Sequence, residues 1–583
     1  MPAKPSKTSK TDRQILALLN DAKTMQTSHA LAEAEEIYRE ILSARPKLFD
    51  ALQLLGTLLL QSGRIDEGID YLQQAASVNS TKAFVFSNLA YGFNTLGRFT
   101  EGLNAATRAV AMQPGFLEAL NQQGNALCGL DRPADALTSY DKAVAANPSF
   151  APTWSNRSCA LRDLGRSADA LSSCDEAIRL APAFAEAWSN KGNALGDLGR
   201  PTDAQACYEQ ALKLAPDYVD AWSNMGLVLI DQGRHEDALA CYDEALARRP
   251  SSAEAHWNKA LCLLQLGRFA EGWPEYEWRW ERERMKPSRR RFDQPMWQGD
   301  VPIEGKTILL HAEQGLGDTL QFCRYVPLVA ARGARVLLDA PVELHRLLRT
   351  LDGMAELIPP GAPLPAFDYH CPLLSLPLAF RTDIDTIPDL SPYLAADASQ
   401  VQVWAQRMSS KTGQPLKVGL VWAGGSRPHV PELRKIGDRR SITLGHFEPL
   451  LDIANVQFFS LQVGPASQQL MRAREAGSRA ARIVDFTSEL SDFADTAALV
   501  MNLDLVISVD TSTAHLAGAL ARPVWILNRF DSCWRWIRQR DDSPWYRTAR
   551  LFNQSTLGDW DGVMRSVEHA LRELAAAAAR EAD

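Results

Sequence analysis

Two textures of apolar and polar positions divide this chain. From near Gln14 to near Lys286, apolar residues recur at helical spacing, three and four residues apart, in paired stretches separated by short polar turns. From Lys306 onward the apolar residues gather into short β-branched runs that alternate with helical stretches, the pattern of parallel strands buried on both faces. The runs Thr307–His311, Arg335–Ala340, Ala355–Ile358 and Asp368–Leu374 predict strands of a first lobe. Lys417–Trp422, Val456–Leu461, Ile483–Phe486, Leu505–Val509, Pro523–Asn528 and Ala549–Phe552 predict a second. A helix is predicted within 392–411, and helices over 444–451, 467–476, 492–502 (capped by Ser491) and from Asp559 to the end.

The first texture is periodic at 34 residues. Gly-Arg recurs at Gly63-Arg64, Gly97-Arg98, Gly165-Arg166, Gly199-Arg200, Gly233-Arg234 and Gly267-Arg268, and Asp131-Arg132 fills the missing slot. Pro46, Pro114, Pro148, Pro182, Pro216 and Pro250 keep the same period and end the second helix of each pair. Ala136, Ala170, Ala204 and Ala238 let the paired helices approach, and Tyr140, Tyr208, Tyr242 and Tyr276 are expected to fill grooves between units. Period and pattern resemble the tetratricopeptide repeat, with about eight units over 14–286 forming an α-solenoid. The first helix of each pair lines the concave face of such a solenoid. One position of that helix reads Asn88, Gln122, Asn156, Asn190, Asn224, Asn258. An amide both donates and accepts, so a column of them can hold a polypeptide main chain without selecting side chains. The competing reading has each asparagine bonded inside its own repeat. The column is similar to the asparagine ladder of the O-linked N-acetylglucosamine transferases, which implies an acceptor protein or peptide as partner. The last unit carries Trp273, Trp278 and Trp280, an aromatic helix expected to dock onto the next domain.

The stretch Asp504–Asn528 reads as strand, polar turn, helix, strand, with Asp510, Thr511, Ser512 and His515 at the turn. The carboxyl edge of an open α/β sheet is where ligands bind, and free N–H groups at a helix N-terminus suit a phosphate. Asp510 and Thr511 read equally as caps. D-T-x-x-x-H-L-A-G-A-L resembles the donor motif of heptosyltransferase-type glycosyltransferases, which implies that Asp510, Thr511 and His515 contact a sugar nucleotide. Gly315-Leu-Gly-Asp318 after the first strand is neither a dinucleotide fingerprint nor a P-loop, since Leu320 replaces the third glycine and no lysine follows. The same resemblance makes Asp318 the catalytic base. A third loop, 423–442, combines Gly424 and Gly425 with Arg427, Arg434, Lys435, Arg439 and Arg440, positive charge suited to a diphosphate. Arg440 and Ser441 are the positions nearest the lysine and hydroxyl residues of that family. Leu461 and Gln462 end the next strand, where a base could be held. The resemblance implies two Rossmann-like lobes of GT-B type and transfer with inversion.

Composition narrows the function classes. The chain has 583 residues, 46% of them apolar and 23% charged, with a formal net charge of −8, which leaves no electrostatic footprint for nucleic acid. The basic stretch 279–291 is interleaved with Glu277, Glu281 and Glu283 and reads as a solvated helix end and linker. No apolar run reaches membrane-spanning length, and the polar start, a disordered tail over 1–13, has no secretory h-region. The nine cysteines form no metal-like or disulfide-like framework, which argues for reduced thiols and a cytoplasmic protein. No DxD-type pair occupies the predicted cleft loops, so a metal-independent reaction without cofactor is expected, the sugar nucleotide being substrate. The domains expected are the repeats over 14–286, a linker over 287–305, a first lobe over 306–395, a connecting helix over 396–414 and a nucleotide-sugar-binding lobe over 415–583. The reading is a glycosyltransferase acting on a repeat-bound acceptor; the alternative is a non-catalytic binding scaffold.

Overall fold

The computed structural model describes residues 11–359, 361–409, 415–425 and 431–582, without the side chains of 431–435 and 581–582. The tail over 1–10 and Arg427 lie outside the described residues, as do the side chains of Arg434 and Lys435. The chain divides into two compact units, Met1–Ala221 and Trp222–Asp583.

The first unit is a stack of helix pairs. Asp12–Thr27 pairs with Leu31–Ala44, and the series continues to Ala185–Asp197 with Pro201–Leu214. The 34-residue punctuation has a backbone cause. Gly63, Gly97, Gly165 and Gly199 turn the chain at φ between 71° and 77°, and Asp131 takes the same left-handed conformation at 57°. The following arginine begins the second helix and pairs with an acid three residues on, as in Arg132–Asp135 and Arg166–Asp169. Both partners of these pairs are about half exposed, so each adds little. The expected place of the tyrosines is corrected. Tyr140 and Tyr208 lie inside a unit, against Gly124 and Gly192 of the partner helix, where a Cβ would meet the ring at 2.4 and 2.8 Å. Their hydroxyls donate to Asn125 and Asn193 of the same unit.

The division falls in the first turn of helix Val219–Asp231, and the second unit holds the rest of that helix with its partner His235–Arg248, then the pair Ala253–Gln265 and Phe269–Tyr276. A parallel sheet follows, built from β1 (Thr307–His311), β2 (Arg335–Asp339), β3 (Met354–Leu357) and β4 (Tyr369–Pro372) in the order β3-β2-β1-β4. The second sheet holds β5 (Leu416–Val421), β6 (Val456–Ser460), β7 (Val484–Asp485), β8 (Leu505–Val509), β9 (Val524–Asn528) and β10 (Ala549–Asn553). Its order is β10-β9-β8-β5-β6-β7, and every pairing is parallel. All residues of β8 and β9 are buried, which is why their sequences are unbroken apolar runs.

Residues expected to connect prove to be packed. Trp297 is fully buried, Met296 bridges to His370, and Phe292 lies against His311 and His370. Arg279, expected on a solvated helix end, is fully buried between Glu277, Glu313 and Ser375. The aromatic last repeat does dock. Trp273 donates its indole N–H to the Thr382 carbonyl at 2.8 Å and meets Trp534 edge-on at 5.4 Å. Burial of this aromatic surface explains why the final two repeats cluster with the α/β region. Helix Phe493–Val500 is capped by Asp492, which accepts from Ala494 and Asp495, and not by Ser491. Helix Ala398–Arg407 occupies part of the expected connection, capped by Asp397; residues 410–414 lie outside the described residues.

Candidate functional site

The turn after β8 is built as the sequence suggested. β8 ends at Val509, and helix Ser512–Ala519 starts with Thr511 in the N-cap position but with no side-chain cap. Thr511 Oγ1 instead lies 2.9 Å from Ser508 Oγ. An N-terminus without a side-chain cap leaves N–H groups for an anion. His515, one turn into this helix, is buried and stacked on Trp536 at 5.1 Å and 17°. Its Nδ1 is 2.9 Å from the Tyr546 hydroxyl, and its Nε2 is 4.0 Å from Asp510 Oδ1. Burial pushes the imidazole pKa down to about 4 against the opposing pull of Asp510, so the ring is neutral near pH 7.

The loop after β1 abuts this turn. A Cβ on Gly317 would come within 2.9 Å of His515 Cδ2 and 3.4 Å of the Ser512 Cα, so only glycine allows the approach. Asp318 follows in the first turn of helix Leu316–Phe322. Its Oδ2 accepts from the Gly315 N–H at 2.8 Å, and its Oδ1 is paired with Arg535 Nη2. Arg535 is buried; burial opposes its charge, but the Asp318 carboxylate together with Cys533 and Tyr276 outweighs that and holds the pKa above its ordinary value. The proposed base is thus at once a cap and half of an ion pair.

The third loop changes the reading of its residues. Gln462 Oε1 accepts from the N–H groups of Trp422 and Ala423 at 3.0 and 2.8 Å. Its Nε2 donates to the carbonyls of Ala423 and Val463 at 3.1 and 3.0 Å. That exhausts the amide, so Gln462 is corrected from a base-holding residue to one that fixes the ends of β5 and β6. Ser441 Oγ accepts from the Gly424 N–H at 3.2 Å. Arg440 lies flat on Gly424, its Nε 2.5 Å from where a Cβ would stand, and Nη2 donates to the Gly425 carbonyl at 3.3 Å. Arg439 leaves the phosphate role, because its guanidinium pairs with Asp231 and Asp531 at 3.0 and 2.9 Å.

The amide column divides. Asn88 donates to Thr57 at 3.0 Å and Asn190 to Ser155 at 2.9 Å, bonds that cross to the preceding repeat instead of staying within one. Asn156, Asn224 and Asn258 are half-buried and make no side-chain hydrogen bond among the described residues.

Sequence reasoning missed the segment between β9 and β10, which supplies Arg535, Trp536 and Tyr546. Its signal was the aromatic and arginine density of 534–547, which carries no spacing rule. Glu313 was also missed. It leaves β1 into the buried side of the loop, paired with Arg279 at 3.2 Å through Oε1, while Oε2 has no partner among the described residues. Burial pushes its carboxyl up to about 7, over the opposing pull of Arg279.

Among the described residues no helix is long and apolar enough to cross a membrane, and all nine cysteines are free. Tetratricopeptide-repeat family models match residues 89–151, 189–239 and 223–277, and a second such model matches 49–82 and 151–184. The protein FlbA of Caulobacter vibrioides is 28% identical over 329 residues, which is 53% of this chain and 53% of FlbA. The chain therefore spans about half the length of that curated relative. Solved structures with likeness include a tetratricopeptide repeat protein from Parabacteroides merdae, 17% identical with a TM-score of 0.38, covering 43% of this chain and 99% of that one. YrrB, described as a tetratricopeptide protein with an unusual peptide-binding site, is 21% identical with a TM-score of 0.25, covering 32% and 95%. The chain thus carries tetratricopeptide repeats in an N-terminal α-solenoid, followed by a region of parallel β-sheets.

Proposed function

We propose that this protein is a glycosyltransferase of GT-B type that moves a sugar from a nucleotide diphosphate-sugar to a polypeptide held by the repeats. The observation that carries the reading is the abutment of two βα turns from different parallel sheets, with Gly317 against His515 and Ser512. Carboxyl-end turns of parallel sheets are where such folds bind ligands. In this account the uncapped N-terminus at Thr511–Ser512 and the neutral His515 meet the diphosphate, and Asp510 meets a ribose or sugar hydroxyl. Arg440 and Ser441 shape the glycine loop after β5. Asp318 is the group available to take the acceptor proton, once Arg535 turns from it to the donor phosphates. The half-buried amides of Asn156, Asn224 and Asn258 bond the acceptor main chain.

A second reading, a binding scaffold that does not turn over, draws on one observation: Asp318 is already neutralised by Arg535. A carboxylate with both oxygens already engaged must be released before it can take a proton. The two readings separate in one experiment. Purified protein is incubated with a panel of labelled sugar nucleotides and a polypeptide extract, and nucleoside diphosphate release is measured alongside sugar incorporation by mass spectrometry. Transfer at a rate lowered by Asp318→Asn supports the enzyme; donor binding without release of nucleoside diphosphate supports the scaffold.

A further inference from the structure

His515 is held by contacts that decide which of its two nitrogens carries the proton. The Tyr393 hydroxyl receives a hydrogen bond from Arg324 Nη2 at 3.1 Å and donates its own proton to the Leu320 carbonyl at 2.9 Å. The Tyr546 hydroxyl lies 2.9 Å from His515 Nδ1, and Tyr393 is a second polar group that interacts with it. Its proton has two possible acceptors, and they are unequal. The Tyr393 oxygen already accepts from a guanidinium, whereas Nδ1 of a neutral imidazole is a free lone pair if the ring proton sits on Nε2.

Charge across the ring points the same way. Arg324 stands 4.8 Å from the ring of Tyr546, whose hydroxyl meets Nδ1, and positive charge behind that contact favours a lone pair on Nδ1. The Asp510 carboxylate stands 4.0 Å from Nε2, where negative charge favours N–H. Asp318 and Arg535 also act on His515, but they are paired with each other and largely cancel. Arg324, Arg535 and His515 are buried, and Asp510 and Asp318 are only 15% and 19% exposed, so these fields are less screened than in water.

We infer that Tyr546 is a positioning residue: its hydroxyl donates to His515 Nδ1 and so fixes the tautomer whose Nε2–H faces the Asp510 turn as a neutral donor for an anion. The arrangement rests on the proposed donor site for its purpose, not for its existence. An uncharged N–H can hold a phosphate oxygen without titrating near pH 7 and without competing with Asp510 for charge. With Nδ1 protonated, Nε2 would instead present a lone pair to that oxygen and repel it.

The test uses the full chain labelled with 15N-histidine, with His515→Gln to assign the resonance among the ten histidines. At pH 7 the parent is expected to show a proton on Nε2 and none on Nδ1. Tyr546→Phe should give a mixture of tautomers and weaken inorganic pyrophosphate binding about tenfold, a loss appropriate to a hydrogen bond with a charged acceptor. Tyr393→Phe, which leaves the Tyr546 hydroxyl in place, should keep the Nε2–H tautomer and confirms that any change comes from that hydroxyl. A parent with its proton on Nδ1, or a Tyr546→Phe protein with the parent's tautomer, overturns the inference. If pyrophosphate binds neither protein, the donor-site reading fails, while the resonance still decides the role of Tyr546.

Discussion

Replacing Asp318 by asparagine should destabilise the α/β region, and the size of the loss follows from two contacts. One carboxylate oxygen caps the Gly315 N–H and the other holds Arg535. Asparagine has a single acceptor oxygen, so it can serve one of them only. If it keeps the cap, its NH2 faces the guanidinium and leaves a charge that is 10% exposed without its partner. Orphaning one member of a buried pair costs about 3–5 kcal/mol, and partial solvent contact on the Asp318 side, 19% exposed, brings the expectation to about 3 kcal/mol. For a region of this size that is roughly 4–5 °C in melting temperature. Arg535→Met removes the orphaned charge, so the double variant should recover a coupling of about 2 kcal/mol relative to the sum of the single changes. Thermal and urea unfolding followed by tryptophan fluorescence would report it. A coupling below about 0.5 kcal/mol would refute the reasoning and leave Asp318 as a cap alone. The cycle also corrects the kinetic test. Asp318→Asn compared with the parent mixes lost base with a loosened site, whereas the double variant compared with Arg535→Met isolates the base, for which transfer should fall roughly 10²–10⁴-fold.

Four further outcomes are expected. Glu313 has a folded pKa of about 7 against an ordinary 4.5, so its contribution to stability is full below pH 4.5 and is lost as pH rises through 7, a span of up to about 3 kcal/mol. Glu313→Gln should flatten the stability profile between pH 5 and 7.5, and an unchanged slope would remove Glu313 from the account. Gly317→Ala, a helical change that ordinarily stabilises by about 0.5–1 kcal/mol, should instead lower the melting temperature and nucleotide affinity together; a rise in melting temperature with unchanged binding would mean the two turns tolerate a Cβ. Asn88→Ala and Asn190→Ala should each cost about 1 kcal/mol for a lost cross-repeat hydrogen bond. The triple change of Asn156, Asn224 and Asn258 to alanine should leave the melting temperature level or higher while polypeptide capture falls, and a destabilised triple variant would make those asparagines structural.

The architecture was legible where local physics is repetitive. Gly63, Asp131 and their kin mark left-handed turns, and the unbroken run Leu505–Val509 marks a strand covered on both faces. Contacts between distant segments were not legible. Arg439 reads as phosphate-binding because its neighbours are basic, but its partners Asp231 and Asp531 lie far off in sequence. Gln462 and Arg279 misled for the same reason: a polar side chain does not announce whether backbone or ligand will satisfy it. The segment 529–548 has neither helical nor strand periodicity, yet it brings Arg535 to Asp318 and Tyr546 to His515. Asn88 and Asn190 share a repeat position with Asn156, yet they differ from it because Thr57 and Ser155 stand opposite them in the preceding repeat.

The central claim is that the turn after β8 holds a nucleotide diphosphate-sugar, and thermal denaturation of the parent and of Asp510→Ala across a sugar-nucleotide panel tests it most directly. The account predicts that one member, at 100 times its Kd, stabilises the parent by about 2.7 kcal/mol and leaves Asp510→Ala nearly unmoved. No shift with any member, or the same shift in both proteins, would contradict it.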